Sequence, residues 1–146
     1  EYTYDNGSNF SFIAGGRVDN HNRLGTFVTP RLHFRYNPWA KGVLRASAGR
    51  GKRSANIFAE NQPLFASSRT FDIMDTNGKI YGLDPEIAWN YGASLQQEFK
   101  LFNRKATLVA DFFRTDFQDQ VLADLDISPN KIVFYNLDGN SYANIF

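Results

Sequence analysis

Cysteine is absent from all 146 residues, so no disulfide framework, thiolate zinc site or cysteine nucleophile is available. No apolar run approaches the roughly 18 residues of a membrane helix, and mean hydropathy is −0.42. A dominant charge is missing too. Sixteen Lys and Arg against fifteen Asp and Glu leave a net charge of +1, which argues against a nucleic-acid or polyanion binder. These absences do not exclude a membrane β-barrel, whose strands alternate apolar and polar residues and never form a long apolar run. At 42% hydrophobic and 21% charged, the chain has the composition of one folded domain and not of a disordered tail. Aromatic residues are plentiful: 14 Phe, 7 Tyr and 2 Trp. The chain opens at Glu1 with no initiator Met or signal peptide, and we expect it to be a piece of a larger protein.

Period-two alternation occurs in six runs, and helical periodicity persists nowhere. In Phe10–Val18, the set Phe10, Phe12, Ala14, Gly16, Val18 opposes Ser11, Ile13, Gly15, Arg17. In 27–36, Val28, Pro30, Leu32, Phe34 and Tyr36 oppose Phe27, Thr29, Arg31, His33 and Arg35. The third run, 43–49, sets Leu44, Ala46 and Ala48 against Val43, Arg45, Ser47 and Gly49. In the fourth, 87–99, Ile87, Trp89, Tyr91, Ala93, Leu95 and Phe99 share a face spoiled only by Gln97. The run from Thr107 to Phe117 is ambiguous, because Phe112 and Phe113 fall on opposite faces. The last sets Val133, Tyr135 and Leu137 against Phe134, Asn136 and Asp138.

In the five clear runs the polar faces carry Arg17, Arg31, Arg35, Arg45, Glu98 and Asp138, and the apolar faces carry no charge. Most runs approach the roughly 9–11 residues that cross a bilayer at a tilt. Aromatics gather at run ends (Trp89; Tyr36 with Trp39; Phe99 with Phe102), as interfacial girdles do. Short turns at 37–42 and 101–105 alternate with connections expected to face outward at 20–23, 51–86 and 124–131, of which 51–86 is long and irregular. Asn77-Gly78 signals a type I′ hairpin tip inside the longest stretch. The pattern predicts an all-β, antiparallel up-and-down meander of about six strands, paired in sequence order with no parallel pair. Its edges are expected near Phe10 and Tyr135.

Several segments resemble the barrel of TonB-dependent outer-membrane receptors. They are Gly16-Arg17-Val18-Asp19, Thr29-Pro30-Arg31-Leu32, Tyr36-Asn37-Pro38 and Leu44-Arg45-Ala46-Ser47-Ala48-Gly49-Arg50-Gly51. Further along come Leu83-Asp84-Pro85-Glu86 with Asn90-Tyr91-Gly92, Ala110-Asp111-Phe112-Phe113-Arg114, Phe117-Gln118-Asp119-Gln120-Val121 and Tyr135-Asn136. They stand in the family's order from Gly15 to Tyr142. After Gly51 the chain departs from the family pattern, with Lys52 in place of an aromatic and no Pro after Arg53. The resemblance implies that residues 1–146 are a slice of a 22-stranded transmembrane β-barrel, the plug domain and TonB box lying outside it. The motifs are closest to Bacteroidetes-like receptors of siderophore or cobalamin type. The implied partners are the TonB complex, the plug domain, outer-membrane lipid and a scarce small ligand: a ferric siderophore, haem or cobalamin. Arg17, Arg31, Arg35, Arg45, Glu98 and Asp138 would then face the lumen and the plug. The implied location is the Gram-negative outer membrane.

No catalytic set emerges. Asp72 to Gly78 imitates a calcium loop, but Ile73 stands where an acid is needed and Asp84 where the bidentate Glu belongs. His21 and His33 have no second ligand at metal spacing, Gly49-Arg50-Gly51-Lys52 lacks phosphate-loop spacing, and no Ser-His-Asp set is visible. No enzyme, metal or cofactor is expected. The 51–86 stretch is expected to face outward and touch ligand through Arg53, Asn61, Arg69 and Tyr81. From Lys52 onward it carries four basic residues (Lys52, Arg53, Arg69, Lys79) and five acidic ones (Glu60, Asp72, Asp75, Asp84, Glu86). The isolated chain is expected to self-associate through Phe12, Leu32, Phe34, Trp89, Tyr91 and Leu95. The alternative is a soluble all-β ligand-binding module, a lipocalin-like barrel or sandwich, which would carry its hydrophobic residues inside.

Overall fold

A computed structural model describes residues 1–74 and 76–146; Asp75, counted above among the loop acids and in the calcium-like segment, lies outside the described residues. The strands are β1 Tyr2–Asp5, β2 Phe10–His21, β3 Gly25–Tyr36, β4 Gly42–Arg53, β5 Thr70–Ile73, β6 Glu86–Leu101, β7 Arg104–Gln118, β8 Val121–Asp124, β9 Lys131–Asn136 and β10 Asn140–Ile145. A four-residue helix α1, Ile57–Glu60, and a 3₁₀ turn, Gln62–Ala66, separate β4 from β5.

The strands divide between two sheets. The wall is a seven-stranded sheet in the order β1-β2-β3-β4-β6-β7-β10, antiparallel throughout. The cap is a three-stranded sheet, β5-β9-β8, in which β5 and β9 run parallel. The antiparallel meander expected from alternation is present, with three corrections. Its edges are β1 and β10, not strands near Phe10 and Tyr135. The run at 133–138 is not a wall strand: β9 is the central strand of the cap, and Asp138 follows it in the connection to β10. Finally, one parallel pair exists, confined to the cap.

The burial of β9 explains the misplaced strand. Ile132, Val133 and Phe134 are all buried in succession, the mark of a strand covered on both faces and not of one that alternates. The true last wall strand, Asn140-Ser-Tyr-Ala-Asn-Ile145, has too few apolar residues to announce itself. Asn77-Gly78 does not form the hairpin tip. The chain reverses at Tyr81-Gly82, both with positive φ, where the Leu83 N–H donates to the Ile80 carbonyl at 2.9 Å. Gly78 is required because a Cβ there would sit 2.0 Å from the Leu83 carbonyl.

All buried hydrophobic residues among those described (Ala55, Ile57, Leu83, Ile132, Val133, Phe134) belong to the cap. Ile57 and Leu83 come from the connection 54–85, and Ile132 and Phe134 from the connection 119–139. The wall has no second layer. No helix among the described residues is long and apolar enough to cross a membrane.

Candidate functional site

Directly paired residues of antiparallel neighbours share a face, so the register sorts the wall side chains. One row runs Phe12↔Phe34↔Ala46↔Ala93↔Phe112, and the next Phe10↔Tyr36↔Leu44↔Leu95↔Ala110. Phe112 therefore lies on the apolar face and Phe113, opposite Gly92, on the polar one, which resolves the ambiguous run. The apolar face is open to solvent: Leu32 is 45% and Leu108 54% exposed. Gln97, the apparent flaw in this face, accepts a hydrogen bond from the Trp39 indole and donates to the Glu98 carbonyl at 2.7 Å. It fastens the 37–41 turn to the wall.

Aromatic rows end this face. Tyr4, Phe10, Phe34 and Tyr36 form a chain of ring contacts toward the short turns, with Phe10 edge-on to Phe34 at 4.9 Å. Trp89 and Tyr91 stack nearly parallel at the cap end, beside Arg114, which lies over the Tyr142 ring at 4.6 Å. The same face also carries Arg50, opposite Trp89 just beyond the third run, and the Arg114–Asp116 pair inside the ambiguous fifth run. From Trp89 to Phe99 is ten residues. That is ~33 Å along a strand and ~25 Å along the axis at a tilt of ~40°, the height of a barrel's lipid band.

The other face holds Arg17, Arg31, Arg35, Arg45 and Glu98 together; Asp138 is not among them. Arg17 pairs with Asp19 at 2.8 Å and Arg31 with Glu1 at 2.6 Å. Arg35 and Arg45 stand directly opposite each other on β3 and β4, and neither forms an ion pair among the described residues. Arg35 instead donates to Asn37 at 3.3 Å and Arg45 to Gln96 at 3.5 Å. They border an open groove of about 540 Å³ with Ser11, His33, Ser47 and Asp111. Glycines keep this face low. A Cβ at Gly15 would meet the Arg31 guanidinium at 2.9 Å, and one at Gly92 would meet the Phe113 ring at 2.9 Å, so both long side chains lie flat on the sheet.

Two polar residues gather the base of the cap at the rim of the wall. Glu86, the first residue of β6 and 6% exposed, accepts from Arg53 Nε at 2.6 Å and from the Val121 N–H at 2.9 Å. Asn136 accepts from the Asp84 N–H at 2.8 Å and donates to the carbonyls of Asp84 and Asp119 at 3.1 and 2.6 Å. Segments far apart in sequence (Arg53, Leu83 to Glu86, Asp119 to Val121, Asn136) thus meet in one joint. Above it, rings run from buried Phe134 through Phe71, Phe65 and Phe58 to exposed Tyr81, each in contact with the next.

The four loop residues singled out from sequence do not converge. Arg53 spans Glu86 and Glu60, Asn61 donates to the Ile57 carbonyl at 3.0 Å, and Arg69 donates to the Leu125 carbonyl at 3.3 Å. Only Tyr81 presents an exposed ring, edge-on to Phe58 at 5.5 Å. Glu86 and Asn136 sat in the motifs quoted above, yet nothing in the sequence showed that Glu86 would take the Val121 N–H or that Asn136 would bond Asp84 and Asp119.

No curated protein and no solved structure matches the chain. Residues 1–145 match the family model described as TonB dependent receptor-like, beta-barrel. With its antiparallel wall, apolar on one face and polar on the other, the chain belongs to the β-barrel family of TonB-dependent receptors, transporters of the Gram-negative outer membrane.

Proposed function

We propose that residues 1–146 supply part of the wall and the outer capture surface of a receptor importing a scarce small ligand of the ferric-siderophore, haem or cobalamin class. The observation that carries this reading is the division of the chain. Its apolar band and its polar face belong to one sheet, and every large folded connection lies at one end of that sheet. Lipid covers the apolar face, and the cap stands outside it. Tyr81 and Phe58 offer ring faces to the ligand, while Arg53, Asn61 and Arg69 hold the cap in shape. The near balance of charge between Lys52 and Glu86 counts weakly against a strongly basic funnel. The motif wording supports a Bacteroidetes-like receptor.

On the polar face, the opposed Arg35 and Arg45 receive carboxylates of the plug domain. Like charges directly across two strands are destabilising, and an incoming carboxylate relieves them. Energised TonB then moves the plug to open the lumen. Growth of the source bacterium on defined iron and cobalamin sources, with 54–85 deleted from the intact receptor, tests the reading. Loss of growth on one source with the barrel still assembled is expected; unchanged growth on all of them would contradict it.

A further inference from the structure

We propose that the two outward connections, 54–85 and 119–139, open and close as one cooperative unit, and that Glu86 is the positioning residue keying this unit to the wall. The proposal rests on the capture reading above only for its purpose, since the coupling itself follows from the contacts.

Neither connection has a core of its own. The four core residues are split evenly: Ile57 and Leu83 from the first connection, Ile132 and Phe134 from the second. The small sheet is mixed in the same way, β5 coming from the first connection and β8 and β9 from the second. A three-stranded sheet needs an apolar face covered to be stable, so removing either partner exposes the other. The two connections therefore share one folding equilibrium, unlike a pair of independent surface loops.

Glu86 sits where that unit meets the wall. One carboxylate oxygen holds Arg53, whose guanidinium reaches on to Glu60 on α1 at 3.2 Å, and so secures the first connection. The other oxygen takes the Val121 N–H at the start of β8, and so secures the second. Arg53 and Glu86 are also the last register pair between β4 and β6, which places the joint on the rim of the wall. Loss of Arg53 leaves the buried Glu86 carboxylate without its cation, and loss of Glu86 leaves the part-buried Val121 N–H without its acceptor. A ligand pressing on Tyr81 or Phe58 in the first connection is then felt in β8 and β9, and Glu86 carries it to the rim of the wall.

The experiment is hydrogen–deuterium exchange on the full-length receptor in detergent micelles, comparing wild type with Glu86→Ala, Glu86→Gln and Arg53→Gln. Glu86→Ala is expected to speed exchange in both 57–73 and 121–136 by a common factor of at least about tenfold, leaving β2 and β3 protected. Glu86→Gln keeps an acceptor for the Val121 N–H and is expected to give a smaller common rise. Arg53→Gln touches only the first connection, yet it is expected to speed exchange in 121–136 as well. A role confined to the β4–β6 rim would leave 121–136 at its wild-type rate, and that result overturns the proposal. Should a variant fail to assemble, the wild type still decides. In graded denaturant the two segments should lose protection together, and separate transitions would contradict the proposal. Coupled exchange in a receptor whose growth survives deletion of 54–85 would sink the capture reading and leave this one standing.

Discussion

In the wall, strands of 12 to 16 residues from β2 to β7 bury no large apolar side chain, whereas in the cap strands of four to six residues enclose Ile57, Leu83, Ile132 and Phe134. The wall depends on its surroundings for stability, since its apolar face must be covered by something outside the chain. The cap carries its own core, small as it is. One chain therefore contains a region whose hydrophobic residues point out and a region whose hydrophobic residues point in. A substitution should behave differently according to which region it enters.

The largest effect is expected at Phe134, fully buried at the centre of the cap. Phe134→Ala should cost the cap ~3–5 kcal/mol and open 54–85 and 119–139 to protease on intact cells, while the barrel still migrates as a heat-modifiable folded species. If the wall collapsed along with the cap, the two regions would not be separable. Next comes Ala93→Arg at the middle of the apolar band, which should cost ~2–4 kcal/mol and lower the amount of receptor in the outer membrane. Ser94→Gln, one residue along on the polar face, should assemble normally. Gly92→Val is expected to cost ~1–3 kcal/mol by displacing Phe113, and to do so equally in detergent and in lipid, because the clash lies within the wall. Denaturant titration of each variant in both media checks this. The smallest effect is expected for Arg17→Ala: its ion pair with Asp19 is exposed, so the same titration should move by less than ~1 kcal/mol.

The wall was legible in the sequence because a strand wet on one face and greasy on the other writes its period directly into residue order. Phe10–Val18 and Ile87–Phe99 could be read in this way, and their strands extend no more than three residues further at any end. The cap was not legible for the opposite reason. Ile132, Val133 and Phe134 are buried on both faces, so alternation placed their strand in the wrong sheet. The joint was half legible. Leu83 to Glu86 stood out as a motif, but the partner of Glu86 at Val121 lies 35 residues away and bonds through its backbone, which leaves no side-chain signature. Asn61 and Arg69 stood out because polar loop residues often touch ligands, and what the sequence did not show is that each also donates to a main-chain carbonyl of the cap.

The central claim is that the face carrying Trp89, Tyr91, Ala93 and Leu95 meets lipid. Single cysteines placed in turn from Trp89 to Gln96, in a cysteine-free version of the intact receptor reconstituted into liposomes, can carry spin labels along β6. Collision rates with oxygen, which concentrates in the bilayer, and with a water-soluble nickel chelate then report the surroundings of each label. The account predicts oxygen maxima at 89, 91, 93 and 95 and chelate maxima at 90, 92, 94 and 96. The opposite phase, or no period of two at all, would contradict it.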